Sequence, residues 1–146
     1  MRRPLALAAV VLGLAAGGCR QEEATYPPEC SNGPTALRGA LQQAPDGEVA
    51  IEGVRLSECL VASNAAGPLA SFGGSAIAVA GPLVERSRAG DERAAVQLGY
   101  LRGALQRGAD SGVHEELLFR FDQELVRVDR NSPAFRRGEA AGRERG

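Results

Sequence analysis

Apolar residues return at three- and four-residue intervals over most of the stretch from 33 to 129, the spacing of one helical face. Leu37, Ala40, Leu41 and Ala44 predict a short amphipathic helix between Pro34 and Pro45, and Asp46-Gly47 turns the chain after it. The period then changes. Glu48-Val49-Ala50-Ile51-Glu52 alternates, as does Val54-Arg55-Leu56 past Gly53, which fits a two-stranded ribbon or one extended arm bent at glycine. A lone hairpin is marginal in water, so this piece must lean on helices. Ser57 is placed to cap a helix beginning Glu58-Cys59-Leu60-Val61, and Gly67-Pro68 interrupts it and starts another. Pro82 is expected to kink or restart that second helix, and Ala89-Gly90 to end it.

Asp91 is expected to cap the most regular helix, Glu92 to about Arg107, with Ala94, Leu98, Leu101 and Leu105 on one stripe. Glu92, Arg93, Gln97, Arg102 and Gln106 take its polar positions, and Gly99 and Gly103, four apart, would let another helix approach closely. His114, Leu117, Leu118, Phe121, Leu125 and Val128 mark the buried stripe of a last strong helix, Val113 to about Asp129. Beyond it, residues 131–146 are rich in Arg, Glu and Gly with little to bury except Phe135, and are expected to be a mostly disordered tail. Arg130, Arg136, Arg137, Arg143 and Arg145 would suit an anionic lipid or partner, although a solvated tail needs no such explanation. The fold class expected is mainly α: a small bundle of about four helices over residues 30–130, with a short extended or hairpin arm and one disulfide.

From Cys59 to Val84 no residue carries a formal charge, a length that would admit a membrane span. Ser63, Asn64, Ser71, Ser75, Pro68, Pro82 and several glycines interrupt it, so a buried helix packed through Ala and Gly is expected instead.

Composition narrows the class without revealing an activity. With 146 residues, 44% hydrophobic and 24% charged, the chain suits one globular domain and excludes a multidomain enzyme, a rod or a polytopic membrane protein. Aromatics are 4% and Trp is absent, so the core must be Ala, Leu and Val. All 17 basic residues are arginine, and once Arg2 and Arg3 are set aside 15 arginines face 18 acids. That balance points away from nucleic acid.

Met1-Arg2-Arg3 is a short positive segment, and Leu5 to Ala16 an apolar run too short for a comfortable span but of signal-peptide length. Leu14-Ala15-Ala16-Gly17-Gly18-Cys19 follows and resembles the lipobox of bacterial lipoproteins, with Ala16 where that pattern usually has a branched residue. The resemblance implies removal of residues 1–18, diacylglyceryl transfer to the Cys19 sulfur and usually acylation, palmitate-like, of the new amine. It implies a membrane partner reached through lipid and a bacterial cell-envelope location on the extracytoplasmic face. Cys19 as an incidental residue beside a conventional cleavage site would leave a freely secreted protein, and an uncleaved N-terminal anchor is the remaining alternative. Residues 19–29 would be a flexible tether; Arg20 to Pro28 reaches at most about 30 Å, which keeps the domain near the bilayer.

In an oxidising compartment the remaining pair, Cys30 and Cys59, reads as a structural disulfide. No Cys-x-x-Cys is present, and only His114 would join the two thiols as a zinc ligand besides carboxylates.

Gln97-Leu98-Gly99-Tyr100-Leu101-Arg102-Gly103-Ala104 through Gly108-Ala109, then Val113-His114-Glu115-Glu116-Leu117, is similar to a segment of an uncharacterised group of bacterial proteins. Gly53-Val54-Arg55-Leu56-Ser57-Glu58-Cys59 is similar to their upstream arm. The resemblance spans about residues 30–129 and implies an architecture but no activity.

Catalytic motifs are missing from the sequence. Without lysine a phosphate-binding Walker loop is impossible, and His114-Glu115-Glu116-Leu117-Leu118 has Leu118 where a zinc protease needs its second histidine. His114 is the single imidazole base; as a catalyst it would need Glu115 or Tyr100 beside it in a cleft, and as a structural residue it would hydrogen-bond the loop before its helix. No catalytic, cofactor-binding or metal-binding residue is assigned. The leading expectation is a binding or interaction module touching an envelope protein, polymer or lipid. A small carrier of an apolar ligand is the alternative, and an enzyme centred on His114 a further one.

Overall fold

A computed structural model describes residues 25–146; the leader and Cys19 lie outside the described residues. A 3-10 turn, Pro28–Ser31, leads into α1, Gly33–Leu41. Strands β1, Ala50–Ile51, and β2, Val54–Arg55, follow, then α2, Leu56–Val61, and α3, Ala66–Arg88. The chain ends with α4, Glu92–Gly108, α5, Gly112–Glu124, and α6, Pro133–Arg145. The expected helical bundle with an arm and a disulfide is therefore what forms.

The arm is a hairpin. Ala50 pairs with Arg55 and Ile51 with Val54, antiparallel, and the turn between them has positive φ at Glu52 (49°) and Gly53 (88°). Two consecutive left-handed residues give the turn whose twist matches that of a two-stranded ribbon. Val49 and Ile51 are buried on the helices, the support such a ribbon requires.

Cys30 in the 3-10 turn is bonded to Cys59 in α2, with Cα atoms 5.5 Å apart, so the N-terminal end of the domain is fastened to the start of the helical body. Helix α2 begins one residue before Ser57. Arg55 is its N-cap, and the Arg55 backbone N–H donates to Glu58 Oε2 at 3.1 Å, so the cap is closed from within the helix and Ser57 sits buried inside it.

Helix α3 runs unbroken through Pro82, where a kink or restart was expected. The carbonyl that the missing proline N–H leaves free belongs to Ala78, and both residues lie on the exposed side of the helix, where water can serve it. By length and composition α3 is the one helix among the described residues able to cross a membrane. Its opposite face, Phe72, Ala76, Val79, Ala80 and Leu83, is buried in the protein core.

Helix α4 is the axis of the bundle: every residue from Ala94 to Leu105 is buried. Gln97 and Arg102, at polar positions of the pattern, are thus inside. The reason is that α4 is packed against α2 and α3 as well as α6.

Helix α6 is the principal correction to the sequence reading. Residues 131–146, expected to be a mostly disordered tail, contain a helix started by Ser132, whose hydroxyl accepts from Phe135 N–H at 3.3 Å, with Pro133 in its first turn. Phe135 is fully buried, and Gly138, Ala141 and Gly142 lie against α4. Helix α5 is shorter than expected, since its last turn tightens into a 3-10 segment, Leu125–Arg127.

Candidate functional site

His114 enters the fold in the first turn of α5 with 0% exposure. Its Nδ1 lies 2.9 Å from Asp110 Oδ1, and its Nε2 lies 3.3 Å from the Ser63 carbonyl oxygen. The imidazole therefore bridges the loop before its own helix to the segment between α2 and α3. Both nitrogens are engaged and neither faces solvent, so the ring is a structural tie with no proton-transfer position open to a substrate. Glu115 next to it points to solvent, while Tyr100 is buried in α4, where loss of hydration pushes its phenol above the ordinary range. The geometry a His114-centred catalyst would need is not assembled.

A charged cluster that the sequence did not reveal joins α4, α5 and α6. Arg102 Nε and Nη2 donate to the two carboxylate oxygens of Asp122 at 2.7 and 2.9 Å, and its Nη1 donates to Glu139. Arg143 reaches Glu139 at 2.9 Å and Arg130 reaches Asp122 at 3.9 Å. With 11% of its side chain exposed, Arg102 is the buried hub, and the Asp122 fork is the main cause holding its guanidinium firmly charged. The three guanidinium nitrogens of Arg102 each donate to a carboxylate of a neighbouring helix, which makes the hub a fastener between α4, α5 and α6.

Two depressions of similar size differ in chemistry. One, ≈ 660 Å³, lies between the end of α3, the start of α4 and the start of α6; Arg88, Arg127 and Arg137 alternate there with Asp91, Glu92 and Asp129. Its charges balance, and Asp91 and Ser132 already fill the two helix N-termini that open into it. The other, ≈ 680 Å³, is an open groove between α3 and α5. Leu69, Ile77, Val113 and Leu117 supply apolar walls, Ala66, Ala70, Gly74 and Ala78 a floor of small side chains. Val113 is 49% exposed there, an apolar residue only half covered by protein. Helices α3 and α5 meet at the base of the groove, where a Cβ on Gly73 would stand 2.9 Å from Leu117 Cδ1. The uncharged run predicts interior packing for these α3 residues; one face of the helix is interior, and the face along the groove is not.

Among the described residues, no three His, Cys, Asp or Glu side chains converge as metal ligands. No known family, curated protein or solved structure matches this chain.

Proposed function

We propose that the protein is a lipid-anchored module of the bacterial cell envelope, held on the extracytoplasmic face through Cys19 and acting by contact with an envelope protein or lipid. The observation that carries this reading is the Cys30–Cys59 bond in a chain that opens with Met1-Arg2-Arg3, an apolar run and Gly17-Gly18-Cys19. A stable disulfide belongs to an oxidising compartment, and the leader supplies a route to one. The bond in the structure and the leader in the sequence both favour export. Contact rather than catalysis is supported by His114, whose ring nitrogens are already engaged, and by an uncovered apolar groove where a partner or lipid can bury surface.

The carrier reading rests on the same groove. Because the groove is open along its length, it suits a chain laid on the surface better than a small ligand enclosed on all sides.

The test is the fate of Cys19. Expressed with its leader in a bacterium, the protein should partition into detergent with a mature mass that begins at Cys19 and includes the lipid. Cys19→Ala should leave unprocessed precursor or release the protein from membranes. An unmodified mature mass with unchanged partitioning would refute the anchor.

A further inference from the structure

We propose that the groove between α3 and α5 seats one acyl chain of the lipid on the protein's own Cys19. This rests on the lipid-anchor reading and adds a second position for the lipid, against the domain as well as in the bilayer.

The groove is apolar along its floor. Its charged lining residues, Glu116 and Arg120, pair with each other at 2.8 Å, so neither presents an unmet charge to hydrocarbon or invites an ionic ligand. From Ala66 to Ala78 it follows α3 for about 18 Å at the helical rise, slightly more than half of a hydrocarbon core about 30 Å thick, which is the reach of one acyl chain.

The path of the chain specifies the occupant. Thr25 and Pro27 lie in a depression with Val61 and Ala62, at the end of α2. Ala66, the first residue of the groove, follows Ala62 by four residues, so the two are at most about 14 Å apart. Ser63, between them, is tied through its carbonyl to His114, which brings the start of α5 and Val113 to the same end. Cys19 precedes Thr25 by six residues, a reach of up to about 20 Å. Cys19 is thus held within about 20 Å of Thr25, and a lipid on it would stand near the α2 end of the groove at a local concentration that free lipid would not match.

The experiment uses the full chain, expressed with its leader in a bacterium fed a fatty acid bearing a photoactivatable diazirine. The protein is purified in mild detergent, irradiated, digested and analysed by mass spectrometry. The expected product links the lipopeptide beginning at Cys19 to the peptide containing residues 66–78. Gly74→Phe and Ala70→Phe, each placed on the exposed floor, should lower the yield of that product at least about fivefold, as expected when a bulky side chain fills an apolar site. Helical circular dichroism should stay unchanged in both. A lipidated protein whose products miss residues 66–78, or whose label there comes from free phospholipid or a second protein, overturns the proposal alone. A mature mass without lipid overturns the proposal together with the anchor.

Discussion

Gly99 of α4 lies directly beneath the carbonyl oxygen of Phe135 in α6, so close that a Cβ on the glycine would overlap that oxygen and stand 2.8 Å from the Glu139 nitrogen. The relation repeats one turn on, where Gly103 faces the Glu139 carbonyl, and is returned from the other side by Gly138 against Val96 and Gly142 against Tyr100. Each helix thus presents two glycines four residues apart to the backbone of the other. Backbone meets backbone, and α6 is held by close van der Waals contact over its length, with Phe135 as its one large apolar anchor.

Alanine at these glycines should therefore act against the usual helical rule. In an open helix interior, Gly→Ala stabilises by about 0.5–1 kcal/mol, and Gly39→Ala in α1, where nothing lies within 4 Å of the added carbon, should do so. Gly103→Ala should instead destabilise by about 3 kcal/mol, since the overlap is with backbone that no rotamer change relieves. Urea unfolding of the two variants beside the parent decides it: opposite signs are expected, and equal signs would mean that α6 does not pack as described.

Arg102 is the second fastener of the same helix. Arg102→Leu would leave Asp122 and Glu139 facing a buried apolar side chain, with side-chain exposures of 28% and 15% to dissipate their charge. Loss of one partner of a buried pair costs about 3–5 kcal/mol, and the partial exposure of Asp122 places this case near about 3. Stability of Arg102→Leu, Asp122→Leu and the double variant should show strong non-additivity. Additive losses would mean that the pair contributes nothing beyond its separate packing.

Helix α6 was illegible in the sequence for a physical reason. Hydrophobic periodicity registers burial that depends on large apolar side chains, and α6 has only Phe135 of that kind. Its burial depends on Gly138 and Gly142, which look like helix breakers until a matching pair is seen on α4. Gly99 and Gly103 did signal that some helix comes close; nothing local said which. Helices α3, α4 and α5 were legible because Leu, Val and Phe recur along them, and the Cys30–Cys59 bond because only two cysteines remain once Cys19 is assigned to lipid. The periodicity gives Arg102 only a polar position, since a charge whose partners lie 20 and 37 positions away leaves no local trace. The α3/α5 groove depends on which face of α3 is left uncovered, and that is decided by the placement of α5.

Asp91 makes acid sensitivity at the start of α4 predictable in sign. Its carboxylate accepts from the Ala94 N–H at 3.0 Å and from the Arg86 guanidinium, and these bonds hold its pKa below the usual aspartate value of 3.8. A depressed folded-state pKa means stability that is fully present above the unfolded value and lost as pH falls through the folded one. Asp91→Ala should accordingly lower the unfolding midpoint at pH 7, and the gap to the parent should narrow as the pH is taken from 5 towards 2. A gap that stayed constant over that range would mean that Asp91 acts through something other than its charge.

Removing the Cys30–Cys59 bond should expose how much of the fold depends on it. The bond closes a loop with a sequence separation of 29 residues, for which chain entropy gives a stabilisation of about 3–4 kcal/mol. That is a large share of the roughly 5–15 kcal/mol expected of a whole domain. The bond secures the 3-10 turn and α1, which otherwise have α3 and the hairpin as their main neighbours, so the loss should begin at the N-terminal end. Cys30→Ser with Cys59→Ser should lower the urea midpoint, and amide hydrogen exchange should accelerate over residues 28–41 before it does in α4. Addition of a reductant to the parent should reproduce both effects and leave the double variant unchanged. A parent that yields two free thiols after oxidative purification would refute the bond itself, and with it half of the support for the proposed extracytoplasmic location.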